Sequence, residues 1–256
     1  MVNTTITYEQ PLNERIRTLM RLESLYSQML SHLSGTSSTD SRNAVATLLD
    51  IQHIFSRTDI KTDILKELER LSNSFEALSK NPNVDSSKLS SILSELQVFI
   101  DELHAHHGPI GQQLKKNELL NSIRQRASIA GGSCAFDLPG FHFWLLQSNE
   151  KRSADLREWL SHFEIMLKAT ELMLRMMRES SPVTNEYATG GFFQQNLDTA
   201  SLCQLVRVTV PVDCPYYAEI SGSKHRFSVR FMQLRLYERD IMSKNDIEFE
   251  LTCCVL

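Results

Sequence analysis

The chain has 256 residues, of which 41% are hydrophobic and 23% charged, and this composition excludes an intrinsically disordered protein. A net charge of −4 argues against a general nucleic-acid binder. No run of about 18 apolar residues occurs, so no membrane span is expected. The N-terminus also lacks the basic and apolar segments of a secretion signal. With five cysteines and no CxxC spacing, we expect free thiols in a reducing cytosol.

The first half of the chain shows helical periodicity. From Ile16 onward, apolar residues recur at steps of three and four, which places them on one helix face. A later segment, 154–178, is so apolar that it must lie at the centre of a bundle or face another subunit. The polar stretch 34–41 predicts a loop. The predicted helices span about 13–33, 42–55, 60–80, 85–103, 109–123 and 154–178.

Period-two alternation predicts strands in the remainder of the chain. Gly131-Gly132 lies between short alternating runs and predicts the turn of a hairpin within 124–146. Further strands are predicted near 206–210, 216–220, 226–232 and 247–253. The predicted fold class is therefore α+β. A helical bundle domain comprises residues 1-123 and 147-181, and a mainly antiparallel β domain comprises the inserted hairpin region, 124-146, and residues 182-256.

Few features of the sequence indicate catalysis. No glycine-rich phosphate loop, GxSxG elbow or HExxH motif is present. His104, His106 and His107 are close in sequence, but a polar helix end explains them better than a metal site. Cys134 and His142 could form a thiol nucleophile and its base, but a buried structural cysteine is the preferred interpretation. We therefore predict no catalytic residue, metal or cofactor, and a thiol or histidine enzyme is only an alternative.

A positive strip is predicted on one strand of this acidic protein. Arg226 and Arg230 share a strand face and lie ~13 Å apart along it. Lys224 and His225 precede them in a turn. Guanidinium groups so placed suit the carboxylates of an acidic peptide.

A structural explanation of the same arginines is also open. If the last strand paired with this one, Glu248 or Glu250 would lie across from Arg230 and neutralise it. Periodicity alone slightly favours the ion pair inside the sheet over a ligand-binding surface.

Motifs distributed from the N-terminus to the last strands match one protein family. They include Tyr8-Glu9-Gln10-Pro11-Leu12-Asn13-Glu14-Arg15-Ile16, Thr62-Asp63-Ile64-Leu65-Lys66-Glu67-Leu68, Phe136-Asp137-Leu138-Pro139, and Arg226-Phe227 with Arg230-Phe231-Met232. On these residues, the chain resembles the ZapD family of bacterial cell-division proteins over essentially its whole length.

The resemblance implies a non-enzymatic division factor. ZapD proteins are described as symmetric dimers with a helical and a β domain. They bind the C-terminal tail peptide of FtsZ, the tubulin-like division GTPase, and bundle FtsZ filaments at the cytoplasmic division ring at mid-cell. The family implies no cofactor, metal, nucleic acid or membrane partner. A helical adaptor for another acidic peptide is the alternative within the class of binding proteins.

The resemblance also assigns a binding surface, to which the turn lysine is added. The expected tail-binding residues are Arg57, Arg226, Arg230, Arg21, His142 and Lys224. One position departs from the family, since Glu118 stands where a basic residue is expected in the fifth helix. Lys115 and Lys116 lie within one helical turn and are candidates to replace it.

Overall fold

The computed structural model describes residues 4–57, 59–78, 85–179, 181–197 and 203–255, and the side chains of residues 57, 78 and 88 lie outside this description. The chain forms two compact units. A β-rich unit consists of Met1–Leu19 and Leu174–Leu256, and a helical unit consists of Met20–Met173. The predicted α+β class is confirmed. None of the described helices combines the length and apolarity needed to cross a membrane.

Apart from β1, the described helices all precede the described strands in the chain. The helices are α1 (Glu14–Ser34), α2 (Ser38–Arg57), α3 (Ile60–Leu78), α4 (Ser86–Ala105), α5 (Glu118–Arg126), α6 (Pro139–Leu145) and α7 (Asn149–Glu179), with a 3-10 turn at Gln112–Lys116. The strands are β1 (Thr5–Pro11), β2 (Thr184–Ala188), β3 (Phe192–Asn196), β4 (Cys203–Pro211), β5 (Tyr217–Gly222), β6 (Arg226–Gln233), β7 (Ile241–Met242) and β8 (Ile247–Val255).

The loop predicted at 34–41 is shorter than expected because α2 begins at Ser38. Ser37 and Asp40 form a reciprocal cap. The Ser37 hydroxyl accepts the Asp40 backbone N–H at 3.0 Å, and the Asp40 carboxylate accepts the Ser37 backbone N–H at 3.0 Å. These hydrogen bonds lower the pKa of Asp40 because they favour its charged form.

The hairpin predicted within 124–146 is wrong. Pro139 occupies the first turn of a helix, where its missing N–H costs nothing, and starts α6. Phe141, Trp144 and Leu145 are buried at helical spacing, whereas Phe143 is 69% exposed. Gly131 adopts a positive φ of 72° within irregular turns. This segment therefore belongs to the helical unit and not to the β domain to which we assigned it.

Stacked aromatic rings attach α6 to α7 inside the helical unit. Phe141 stacks on Trp144, and Trp144 stacks on Trp159, with ring centroids 5.9 and 5.5 Å apart. The Trp144 indole N–H donates to Asp155 at 3.0 Å, so its polar group is satisfied. The apolar side of α7 is buried within the chain itself, which confirms the central position and removes its apolarity as an argument for a dimer.

Arg152 is buried and satisfied entirely by neutral acceptors. It is 6% exposed. Its guanidinium donates to the Ser41 hydroxyl at 2.9 Å and to the carbonyls of Thr36, Leu145 and Gln147. The side chain therefore holds together the α1–α2 loop, the end of α6 and the start of α7.

We expect Arg152→Met to lower the free energy of unfolding by about 3 kcal/mol, because four acceptors lose a charged donor. Arg157→Met is the matched control, since Arg157 is exposed on the same helix. Urea denaturation followed by circular dichroism measures both. Equal stability of the two variants would show that Arg152 does not hold these segments together.

Two antiparallel sheets form the β-rich unit. The first has the order β1-β4-β8-β2, and the second has the order β3-β6-β5, with β7 also paired to β6. Their facing sides enclose an apolar core in which Phe249 contacts Phe193 and Phe231, each with ring centroids 5.3 Å away. Four strands were not predicted from the sequence. The side chains of β1, β2 and β3 are mostly exposed or half-buried and lack a clear alternation, and β7 has only two residues.

The Glu9 carboxylate joins three elements of this unit. Glu9 on β1 lies directly across from Arg207 on β4, which donates to it at 2.8 Å. Arg178, in the last turn of α7, donates to both Glu9 oxygens at 2.9 Å. The three side chains are only 18–28% exposed, so solvent screens them incompletely.

Glu9→Gln should lower the free energy of unfolding by about 2 kcal/mol, because two arginines lose their shared carboxylate in a partly buried position. Glu14→Gln is the control, since the Glu14 side chain is 77% exposed and its ion pair with Arg17 should contribute less than about 0.5 kcal/mol. Thermal and urea unfolding compare the variants. A Glu9 variant as stable as the Glu14 variant would contradict this role.

Candidate functional site: a basic depression on the second sheet

The outer face of β6 carries the predicted basic strip. Phe227, Val229 and Phe231 are buried against the core, at 1%, 0% and 0% exposure. Because side chains alternate along a strand, Arg226, Ser228 and Arg230 point to the opposite face. Both arginines are exposed there, as the alternation predicts.

The alternative in which β8 neutralises Arg230 is wrong. β8 pairs with β2 and β4 in the first sheet, so Glu248 and Glu250 do not lie beside β6. The neighbours of Arg230 come instead from β3 and β5, where Phe192 and Glu219 lie directly across from it. Among the described residues, neither Arg226 nor Arg230 forms an ion pair.

A depression of about 340 Å³ lies between the two arginines. Its lining is mainly polar and consists of Phe192, Gln194, Ser221, Gly222, Ser223, Arg226, Phe227, Ser228 and Arg230. Exposed guanidinium and hydroxyl donors in one concave surface suit a carboxylate or another oxyanion. The depression is therefore the strongest candidate for a ligand site in the β-rich unit.

The turn between β5 and β6 borders this depression. The Ser223 backbone N–H donates to the Arg226 carbonyl at 2.9 Å, which closes the turn and leaves Lys224 and His225 exposed at its tip. The His225 carbonyl accepts the Leu197 backbone N–H at 2.8 Å, so the tip is also tied to the end of β3. Lys224 therefore adds positive charge beside the depression without lining it.

The other predicted tail-binding residues belong to the helical unit. Arg21 is exposed on α1, and His142 is exposed on α6. Arg57 ends α2, and its side chain lies outside the described residues. Glu118 begins α5, just after Lys115 and Lys116 at the end of the 3-10 turn, and all three are exposed.

Sequence reasoning missed the contribution of β3 to the depression. The available signal was Gly190-Gly191, where φ is 56° and 75° and the chain passes from the first sheet to the second. A Cβ on Gly191 would lie 2.7 Å from the Ser243 carbonyl oxygen, so only glycine fits without a shift. This turn places Phe192 and Gln194 beside β6.

The far end of β6 leads into a loop that is fixed by one carboxylate. The Tyr217 hydroxyl donates to Asp240 at 2.6 Å, and the Arg235 backbone N–H donates to the other oxygen at 2.8 Å. The hydrogen bond raises the pKa of Tyr217 to about 12, and the same contacts lower the pKa of Asp240. The loop therefore has a defined conformation although Leu236 and Tyr237 on it are almost fully exposed.

The groups considered for catalysis or metal binding are dispersed. His104 lies in the last turn of α4, as the helix-end interpretation predicts, and its Nε2 lies 3.0 Å from a Glu69 carboxylate oxygen. Within the described ranges, no three His, Cys, Asp or Glu side chains are grouped as metal ligands would be. Cys134 is exposed in the turns before α6, so its prediction as a buried structural cysteine is wrong.

Comparison with known proteins tests the family that the sequence motifs indicated. A family model described as ZapD, Cell division protein, matches residues 20–230. A protein named Cell division protein ZapD from Methylococcus capsulatus is 45% identical over 251 residues, which cover 98% of each chain. Proteins of the same name from Coxiella burnetii and Aromatoleum aromaticum are 35% and 38% identical, over 99% and 98% of both chains.

The family model covers the helical unit and the β-rich unit as far as Arg230 on β6. The named relatives cover nearly the whole chain. Their identity and coverage agree with the motifs found along the sequence. The chain belongs to the ZapD family of cell division proteins.

Proposed function

We propose that this protein binds the C-terminal tail peptide of FtsZ and cross-links FtsZ filaments at the division ring, in the cytoplasm, without catalysing a reaction. The observation that carries the proposal is the pair Arg226 and Arg230, which are exposed in one polar depression and form no ion pair with another described residue. Membership of the ZapD family supports a role in division. Lys224, Arg21, His142 and Arg57 are proposed to contribute further contacts to the tail.

The proposed mechanism depends on multiple weak contacts. A filament presents many copies of one tail, and a symmetric dimer presents two binding sites. Engaging two filaments converts the second binding event into an intramolecular one, which raises its effective concentration. A tail that is disordered when free loses conformational entropy on binding, and this keeps each contact weak and reversible.

The first test is co-sedimentation with polymerised FtsZ, either full-length or lacking its tail. We expect pelleting only with full-length FtsZ.

Arg226→Ala and Arg230→Ala should each weaken tail binding about tenfold, because each removes a charge-assisted contact at an interface. Arg157→Ala, which removes an exposed arginine from α7, should not change binding.

Three results would contradict the proposal. One is equal pelleting with tail-deleted FtsZ, and another is unchanged tail affinity in both β6 variants. The third is tail affinity that stays constant between 0.1 M and 1 M salt, where the Debye length shrinks from ~10 Å to ~3 Å, because electrostatic contacts should weaken over that range.

A dimer is the second testable element of the proposal. Cross-linking requires two sites in one particle, so the mass in solution should be about twice the 29.3 kDa of the chain. Sedimentation equilibrium or light scattering at micromolar concentration measures it. A monomer that nevertheless bundles filaments would show that two sites lie on a single chain.

A further inference from the structure

Glu219 occupies an unexpected position beside the proposed tail site. It lies on β5 directly across from Arg230, and its side chain projects to the same outer face of the sheet. Directly opposed side chains in an antiparallel pair have Cβ atoms about 5 Å apart. Glu219 and Arg230 are both exposed, and they form no ion pair in the described structure. The Arg230 guanidinium is thus available to a ligand but has a carboxylate within reach.

A row of neutral polar side chains separates Arg230 from Arg226. Gln194 on β3 and Ser221 on β5 both lie directly across from Ser228 on β6. Within the described part of the chain, none of these three side chains forms a hydrogen bond. They therefore provide a floor of free hydroxyl and amide donors between two guanidinium groups.

The two ends of the depression differ in charge. Asn196 is the cross-strand neighbour of Arg226, and Lys224 lies in the adjoining turn, so no carboxylate opposes Arg226 across the strands. Arg230 has Glu219 on one side and Phe192 on the other. The electrostatic attraction for a ligand carboxylate is consequently stronger at the Arg226 end.

We infer that Glu219 is a specificity-determining residue that competes with ligand carboxylates for Arg230. The ligand is an extended acidic peptide segment, and this inference rests on the proposed function. One peptide carboxylate binds at the Arg226 end over the Gln194–Ser228–Ser221 row. A second carboxylate reaches Arg230 only against repulsion from Glu219, which limits affinity and selects the charge pattern of the peptide.

The test measures binding of a synthetic FtsZ tail peptide by fluorescence anisotropy. Glu219→Gln keeps the shape of the side chain and removes its charge, so we expect about threefold tighter binding at low salt and a smaller gain at 1 M salt. Glu248→Gln is the matched control, because Glu248 is an exposed strand residue of the other sheet. Its affinity should equal that of the unmodified protein.

A double-mutant cycle identifies the partner of Glu219. In an Arg230→Ala background, Glu219→Gln should no longer tighten binding, because the arginine for which Glu219 competes is absent. Ser228→Ala should weaken binding about threefold if the row donates to the ligand. If Glu219→Gln still tightens binding in the Arg230→Ala background, Glu219 does not compete for Arg230. If Ser228→Ala binds with unchanged affinity, the row of neutral side chains does not donate to the ligand.

Two peptide variants distinguish the source of the carboxylate at Arg230. One carries amides in place of its acidic side chains, and the other carries a C-terminal amide. The gain from Glu219→Gln should disappear with the variant that lacks the relevant carboxylate and persist with the other. If the gain persists with both, the inference is wrong.

The outcomes also separate this inference from the function on which it rests. If the unmodified protein does not bind the tail peptide, both are overturned. If it binds, and Glu219→Gln binds with the same affinity, only the role of Glu219 is overturned.

Discussion

The β-rich unit depends on the carboxylate of Glu9, which brings together parts of the chain that are far apart in sequence. Arg178 at the end of α7 and Arg207 at the centre of the first sheet both donate to it. The unit is built from both ends of the chain, with the helical unit inserted between them in sequence. A partly buried, charge-assisted contact therefore fixes the first strand against elements that follow some 170 residues later.

Four arginines of this protein show two contrasting kinds of surroundings. Arg152 and Arg178 lie in the interior or partly within it, where protein acceptors satisfy them. Arg226 and Arg230 lie on an exposed sheet face without an ion pair among the described residues. Guanidinium groups of the first group stabilise the fold. Those of the second contribute little to it, which makes them the better candidates for binding a partner.

The sandwich core and the basic depression have a common cause. Burial of Phe227, Val229 and Phe231 fixes the register of β6 with respect to both faces of its sheet. A shift of one residue would expose this apolar set, so the outward direction of Arg226 and Arg230 follows from the core. The ligand face is thus positioned by packing on the other side of the same strand.

Much of this protein could be predicted from sequence because periodicity reports burial directly. The stripe that includes Ile16, Leu19 and Leu22 is buried as predicted, and β6 alternates as predicted. The motifs shared with ZapD proteins also lie in the sequence itself, and they indicated the family over the whole chain. Local patterns of this kind require no knowledge of which elements pack together.

Tertiary structure alone decided what could not be read from local patterns. The alternation of Phe141, Phe143 and Leu145 resembled a strand, but the segment forms α6, in which Phe141 is buried and Trp144 stacks on Trp159 of α7. The partners of β6 were equally hidden, because strand pairing is long-range and depends on the whole sheet. The sequence therefore determined that Arg230 faces outward, whereas the fold determined that Glu219, and neither Glu248 nor Glu250, lies across from it.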